Sequence, residues 1–124
     1  MARAGSVIGW KLDRGEREAL LVQFPPTYDQ PIADHVTLDA KVNGKPLPPA
    51  VDAAIVGRAD DGQGVEAMVV AMDGSTDRPD GSTLHITWSL GHGRRAVESN
   101  AVIATRGWQK FDQPLPVTVT PARF

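Results

Sequence analysis

The chain has 124 residues with 41% hydrophobic and 23% charged side chains, which fits one folded domain over residues 1–124 and excludes a disordered or fibrous chain. A formal net charge of -2 disfavours the capture of long duplex nucleic acid, and the absence of cysteine excludes disulfides and thiolate metal sites. No apolar run reaches membrane-spanning length and no signal-peptide pattern is present, so we expect a cytoplasmic protein that does not bind membranes.

The first part of the chain predicts two strands separated by one helix. The helix is indicated by the three- and four-residue spacing of Ala19, Leu20 and Phe24, and Pro25 and Pro26 end it. The predicted elements are, in chain order, a strand over residues 7–12, a turn over 13–15, a helix from Glu16, a loop over 27–34 and a strand over 35–42.

The rest of the chain predicts strands and loops only. Asn43-Gly44 is a strong turn signal, and the proline-rich residues 45–49 cannot pair continuously in a sheet, so they predict an extended surface connection. The predicted elements that follow are strands over 53–58 and 65–72 joined by a polar turn at 60–64, a polar loop over 73–82, a strand over 84–90, a basic turn over 91–95, an interrupted strand over 96–104 and an extended edge segment over 115–120.

Two copies of one tripeptide pattern lie within these predicted strands. They are His35-Val36-Thr37 and His85-Ile86-Thr87, and they contain two of the three histidines in the chain. Residues i and i+2 of a strand point to the same face, so each strand presents an imidazole beside a hydroxyl. Two such strands facing each other would surround a small space with two imidazoles and two hydroxyls. That set of groups suits a phosphodiester substrate.

Together with the opening strand and helix and the run Arg95-Ala96-Val97-Glu98-Ser99-Asn100, these tripeptides resemble the 2H phosphoesterase superfamily. The likeness is greatest to the cyclic-phosphodiesterase domain of fungal tRNA ligases and to 2′,3′-cyclic-nucleotide phosphodiesterases, and it covers residues 7–102. It implies an α+β, bilobal fold in which two antiparallel sheets flank a central groove. Residues 45–49 and 73–82 replace helix that family members usually have, so we expect a minimal member with reduced helix content.

The resemblance implies a phosphodiesterase that needs neither metal nor cofactor and that hydrolyses 2′,3′-cyclic phosphates or related 2′-linked phosphodiesters. His35 and His85 would be the general acid and the general base, in an order that the sequence leaves open, and Thr37 and Thr87 would bind the phosphate oxygens. On this resemblance the substrate would be a cyclic mononucleotide, an RNA end, a 2′-5′ oligonucleotide or a cyclic-nucleotide signal, and the sequence leaves the choice open.

Four further residues are candidate substrate contacts. Tyr28 and Trp10 would stack on a nucleobase, and Arg94 and Arg95 would reach a terminal phosphate. Each of them also has an ordinary structural interpretation, since aromatic side chains mostly pack in the core and arginines in turns are mostly solvated.

Other interpretations of the same residues remain open. A zinc site would use His35, His85 and His92 with Asp34, although no pair of these histidines has the short spacing typical of zinc ligands. A non-catalytic module of the same fold would bind nucleotides or RNA ends without turnover. A small β-rich protein-interaction domain would owe its His-x-Thr patterns to β propensity alone, and its protein partners are unknown.

Overall fold

The computed structural model describes residues 7–40 and 45–124, so the end of the second predicted strand and the Asn43-Gly44 turn lie outside the described residues. Eight strands and two helices are present in those residues. They are β1 Ile8–Leu12, α1 Arg14–Gln23, β2 Gln30–Pro31, β3 His35–Asp39, β4 Ala53–Asp60, β5 Val65–Met72, β6 His85–Leu90, α2 Glu98–Arg106, β7 Gln109–Val117 and β8 Val119–Arg123.

All of these strands belong to one antiparallel sheet with the order β7-β4-β5-β6-β3-β1-β8, and β2 pairs with the end of β6. The α+β class with little helix is therefore confirmed. The resemblance implied two sheets, whereas here β3 and β6 join both parts of one sheet through the single registered pair Val36 and Ile86. The two strands that carry the His-x-Thr tripeptides thus meet at a narrow junction in the middle of the sheet.

The predicted interrupted strand over residues 96–104 is wrong, because α2 occupies Glu98–Arg106. The buried residues of α2 are Ser99, Val102 and Ile103, whose spacing is that of one helical face. Gly107 ends the helix at φ 72°, a left-handed conformation that glycine adopts without steric cost. The β-branched residues of this segment favoured a strand locally, but burial of one helical face decided its structure.

The prolines near the end of the chain lie on edge strands, as predicted. β7 and β8 form the two edges of the sheet, where a missing backbone N–H leaves no ladder partner unsatisfied. The predicted segment 115–120 spans the end of one edge strand and the beginning of the other, which are separated at Thr118.

The main core lies on the face of the sheet that carries Val36 and Ile86, both fully buried. Trp88 is fully buried in the same cluster, and α1 contributes Leu20. Since side chains alternate along a strand, burial of Val36 and Ile86 turns the residues on either side of them to the opposite face. No helix in the described parts of the chain has the length and apolarity that a membrane span requires.

A buried carboxylate connects the loop after α1 to the sheet through hydrogen bonds. Glu66 on β5 is 2% exposed, and its oxygens accept hydrogen bonds from the backbone N–H and the hydroxyl of Thr27 at 3.0 and 2.9 Å. The hydroxyl of Ser89 and the guanidinium of Arg58 also donate hydrogen bonds to Glu66, at 2.6 and 2.8 Å. Every oxygen of the buried charge is thus satisfied, which is the condition under which burial of a carboxylate is tolerated.

Replacement of Glu66 by alanine is expected to lower the free energy of unfolding by about 3 kcal/mol, because it leaves Arg58, Thr27 and Ser89 without their shared acceptor. Urea denaturation measures this effect. Glu18→Ala is the matched control, because the Glu18 side chain is 76% exposed and its pair with Arg17 should contribute under about 1 kcal/mol. Equal losses in the two variants would contradict the structural role of Glu66.

Candidate functional site

The register of β3 and β6 brings the two tripeptides together. Val36 pairs with Ile86, and the strands are antiparallel, so one step to either side places His35 next to Thr87 and Thr37 next to His85. The two imidazoles therefore occupy one diagonal of a four-residue cluster and the two hydroxyls occupy the other. In a regular antiparallel pair, residues on such a diagonal lie about 7–8 Å apart.

This cluster lines a groove of about 690 Å³. The groove contains all four of the predicted catalytic and phosphate-binding residues. Its complete lining is Val7, Ile32, His35, Thr37, Ala40, Arg78, His85, Thr87, Ala96, Val97, Asn100 and Phe124. Three of the additional residues bear on chemistry and were not predicted from the sequence: Arg78 from the loop before β6, Asn100 from α2, and Phe124, which follows β8.

His85 is the more deeply placed imidazole, at 8% exposure. Its Nδ1 lies 2.8 Å from the backbone carbonyl oxygen of Thr83, so Nδ1 carries a hydrogen and donates it, and Nε2 of the neutral ring keeps a free lone pair. Burial lowers the pKa of His85 below its ordinary value, and the charges of Arg78 and His35 lower it further, while the hydrogen bond to Thr83 and the charge of Asp80 act in the opposite direction. His85 is thus a neutral imidazole with an available proton acceptor.

His35 has an ionised carboxylate behind it. Its Nδ1 lies 2.9 Å from Oδ2 of Asp34, and its ring contacts the ring of Phe124 at a centroid distance of 4.2 Å. Burial lowers the pKa of His35, as do the charges of Lys11 and Arg14, while the hydrogen bond to Asp34 raises it. The side chain is 32% exposed, so its charged form is better solvated than that of His85.

Asp34 itself is fixed in the ionised state. Burial alone would raise the pKa of this carboxyl, but hydrogen bonds from Lys11 and His35 and their charges lower it to about 2. The Nζ of Lys11 lies 2.5 Å from one carboxylate oxygen, and Nη1 of Arg14 lies 3.0 Å from the other. Asp34 therefore orients the imidazole of His35 and stabilises the cation that forms when this ring is protonated.

The backbone before His35 is strained and is held by the start of α1. Ala33 has φ 44°, an unfavourable conformation for a residue other than glycine. Arg17 donates to the carbonyl oxygen of Ala33 at 3.0 Å and to that of Ile32 at 2.9 Å. Arg14 also donates to the carbonyl oxygen of Asp34 at 2.9 Å. The helix thus fixes the turn from which His35 enters the groove.

The two threonine hydroxyls differ in availability. Thr37 has no side-chain hydrogen-bond partner among residues 7–40 and 45–124, so its hydroxyl is available to a ligand. The hydroxyl of Thr87 lies 2.9 Å from that of the fully buried Ser99 and 3.3 Å from the carbonyl oxygen of Ala96. Thr87 therefore also connects β6 to the start of α2.

The four additional candidate contacts lie outside the groove. Trp10 is 4% exposed in the main core and donates from its indole N–H to the carbonyl oxygen of Pro49, so burial excludes it as a base contact. Tyr28 donates its hydroxyl to Asp60 at 2.6 Å. Neither side chain lines the groove that contains the two histidines.

The two arginines of the basic turn also lie outside the groove. Arg94 is paired with Asp61 at 2.8 Å and with Glu98 at 3.0 Å, and these contacts direct it away from the groove. Arg95 is exposed and is absent from the groove lining. Neither residue lines the groove that contains the two histidines.

The zinc interpretation finds no support in the geometry. Across the described ranges, no three His, Cys, Asp or Glu side chains are grouped closely enough to hold a metal ion. His92 is exposed in the turn between β6 and α2 and does not line the groove. A second cavity of about 800 Å³, beside β4 and β7, contains Trp108 and prolines but no histidine.

Comparisons of the chain with family models, with curated proteins and with solved structures gave no match. Its function is therefore inferred from the residues that line the groove.

Proposed function

We propose that this protein is a metal-independent phosphodiesterase that opens 2′,3′-cyclic phosphates or cleaves related 2′-linked phosphodiesters in RNA ends or small nucleotides. The observation that carries the proposal is that two imidazoles from separate strands line one groove. Each has its Nδ1 bonded to a fixed acceptor, which leaves Nε2 for a ligand. On this proposal the two parts of the sheet correspond to the two lobes of a 2H-like fold, and the protein acts in the cytoplasm.

The surroundings of the two histidines differ in a way that suggests their roles. Asp34 stabilises the protonated form of His35, whereas His85 faces a neutral carbonyl and the cation of Arg78. On the proposal, His85 is the general base and His35 is the general acid. Nε2 of His85 takes a proton from water while the water oxygen forms a bond to phosphorus. The bond from phosphorus to one ribose oxygen breaks, and that oxygen receives the proton of Nε2 of His35.

The pH dependence of kcat/KM follows from the directions of the two pKa shifts. Activity requires one neutral and one protonated imidazole, and both pKa values lie below the ordinary value of about 6.5. We therefore expect a bell-shaped profile of kcat/KM with its maximum below about pH 6.5. The activity declines toward pH 8 because the acid loses its proton, and it declines toward low pH because the base gains one.

The profile of kcat should lie at higher pH than that of kcat/KM, because the negative charge of a bound phosphate stabilises the imidazolium. Initial rates on 2′,3′-cyclic AMP between pH 4.5 and 8.5 measure both profiles. A kcat/KM that does not change across this range would rule out proton transfer by two imidazoles.

Hydrolysis of 2′,3′-cyclic AMP in the presence of EDTA, followed by ³¹P NMR, tests the function itself. The proposal predicts conversion to a nucleoside monophosphate at the same rate with and without the chelator. Turnover that disappears with EDTA and returns with zinc would replace it by a metal-dependent reaction. Binding without turnover on any cyclic or 2′-linked substrate would instead identify a non-catalytic nucleotide-binding module.

A further inference from the structure

Arg78 brings a positive charge into the groove from outside the two tripeptides. It lies in the loop between β5 and β6 and lines the groove beside both histidines and Thr37. Its side chain is only 12% exposed. A guanidinium that is largely buried beside two titratable rings has either a structural role or a ligand-binding role. The contacts of Arg78 show which of its N–H groups the protein itself uses.

The protein satisfies one edge of the guanidinium and leaves the other open. Nε donates to Asp80 at 3.1 Å, and Nη2 donates to Asp80 at 2.9 Å and to Asn100 at 3.1 Å. Nη1 has no partner among the described residues of the protein. Its two N–H groups are therefore available as donors. Across the described residues no buried side-chain nitrogen or oxygen lacks a hydrogen-bond partner, so Nη1 is open to the groove, where a ligand can reach it.

The residues that hold Arg78 are themselves fixed. Asp80 accepts hydrogen bonds from the backbone N–H and the hydroxyl of Ser82 at 3.0 and 2.5 Å. Asn100, in the first turn of α2, donates its side-chain amide to the carbonyl oxygen of Val97 at 3.0 Å. The orientation of the guanidinium is thus set before any ligand binds, which reduces the entropic cost of using it.

We propose that Arg78 is a phosphate-binding residue that donates from Nη1 to the non-bridging oxygens of the substrate, with Asp80 and Asn100 as the residues that position it. This inference rests on the proposed function for the identity of the substrate, but the anion-binding role does not depend on turnover. Asp80 occupies the Nε and Nη2 edge, so Nη1 donates alone, and hydrogen bonds from a charged guanidinium to an anion are stronger than those between neutral groups. Arg78 also holds its charge close to the oxygens on which charge develops during the reaction.

Binding of adenosine 2′-monophosphate and of inorganic phosphate, measured at pH 6.5 from the ¹H–¹⁵N signals of the His35 and His85 rings, tests this role. In Arg78→Gln we expect the Kd for both anions to rise about 10-fold or more. Arg106→Gln is the matched control, because Arg106 is exposed at the far end of α2 and is absent from the groove lining. It should bind both anions within twofold of the wild type.

Arg78→Lys is a second variant that allows the test to be made even if Arg78→Gln does not fold. Lysine keeps the charge beside Asp80 but cannot bond Asp80 along one edge and donate to an anion from a separate nitrogen, so its Kd should lie between those of the wild type and Arg78→Gln. Both variants are accepted only if their backbone amide spectra match that of the folded wild type. If Arg78→Gln does not fold, Arg78→Lys decides, and wild-type affinity in Arg78→Lys would overturn the role of the positioned Nη1.

Failure of this inference can be told apart from failure of the proposed function. Anion binding that depends on Arg78, in a protein that turns over no diester, would support the Arg78 site and contradict the phosphodiesterase. Turnover and anion binding that are unchanged in Arg78→Gln would contradict the Arg78 site and leave the phosphodiesterase in place. Absence of any phosphate binding to the wild type would overturn both.

Discussion

Replacement of His85 or of His35 by alanine is expected to reduce kcat on 2′,3′-cyclic AMP about 10² to 10⁴-fold, because each substitution removes one of two proton transfers. Nδ1 of His35 is hydrogen-bonded to Asp34 and Nδ1 of His85 to the carbonyl oxygen of Thr83, so Nε2 is the free nitrogen of both rings. The double variant should lose little more than the more damaging single variant, because two groups that act in one step do not contribute additively. Steady-state kinetics in the presence of EDTA measure kcat for the two single variants and for the double variant.

His92→Ala is the matched control for these substitutions. His92 is the remaining histidine of the chain, and it is exposed in a turn outside the groove. Its replacement should leave kcat within about twofold of the wild type, since His92 is exposed and does not line the groove. Equal losses in His92→Ala and His85→Ala, or retention of activity in both single groove variants, would refute catalysis by the two imidazoles.

Gly9→Ala is expected to have the largest effect on stability, with a loss of about 3 kcal/mol or more in the free energy of unfolding. Gly9 on β1 pairs with Thr37 on β3, and a Cβ at Gly9 would lie 2.0 Å from the carbonyl oxygen of Val36 and 3.0 Å from the backbone nitrogen of Leu38. Backbone atoms of a paired strand cannot rotate away as a side chain can. The substitution must therefore separate β1 from β3.

Gly15→Ala provides the control for this prediction. Gly15 lies in α1, and a Cβ there would meet only Oδ2 of Asp13, at 3.4 Å. Alanine is a better helix former than glycine, so this variant should be more stable by about 0.5–1 kcal/mol. Thermal and urea denaturation of both variants measure the difference. A Gly9→Ala protein as stable as the wild type would mean that the close approach of β1 and β3 is incorrect.

A stably folded fraction of Gly9→Ala would also report on the site. Separation of the two strands moves His35 and Thr37, because both lie on β3. We therefore expect kcat/KM to fall in Gly9→Ala and to remain unchanged in Gly15→Ala. This result would connect the strand junction to the groove chemistry.

The alternation of side chains along strands was sufficient to predict much of this fold. It placed the His-x-Thr tripeptides on strands, and β3 and β6 begin at His35 and at His85. The convergence of the two tripeptides on one groove was a hypothesis only, because the sequence does not specify that β3 pairs with β6. The register of Val36 with Ile86 is what makes His35 a diagonal neighbour of His85.

The residues that sequence reasoning missed belong to elements defined by tertiary contacts. Asn100 was overlooked because α2 was predicted as a strand, although the spacing of Ser99, Val102 and Ile103 and the glycine at position 107 were available signals. Arg78 lies in a polar loop, and no local pattern indicates which residue of a loop turns toward a groove. Trp10 was a candidate base contact as well as a candidate core residue, and its burial favours the core interpretation.

A crystal structure of the protein with adenosine 2′-monophosphate bound would test the convergence of the two imidazoles most directly. We expect one phosphate in the groove, with Nε2 of His35 and Nε2 of His85 each within about 2.6–3.2 Å of oxygen atoms on the same phosphorus. A phosphate bound against only one of the two rings, or bound in the larger cavity beside β4 and β7, would contradict this mechanism.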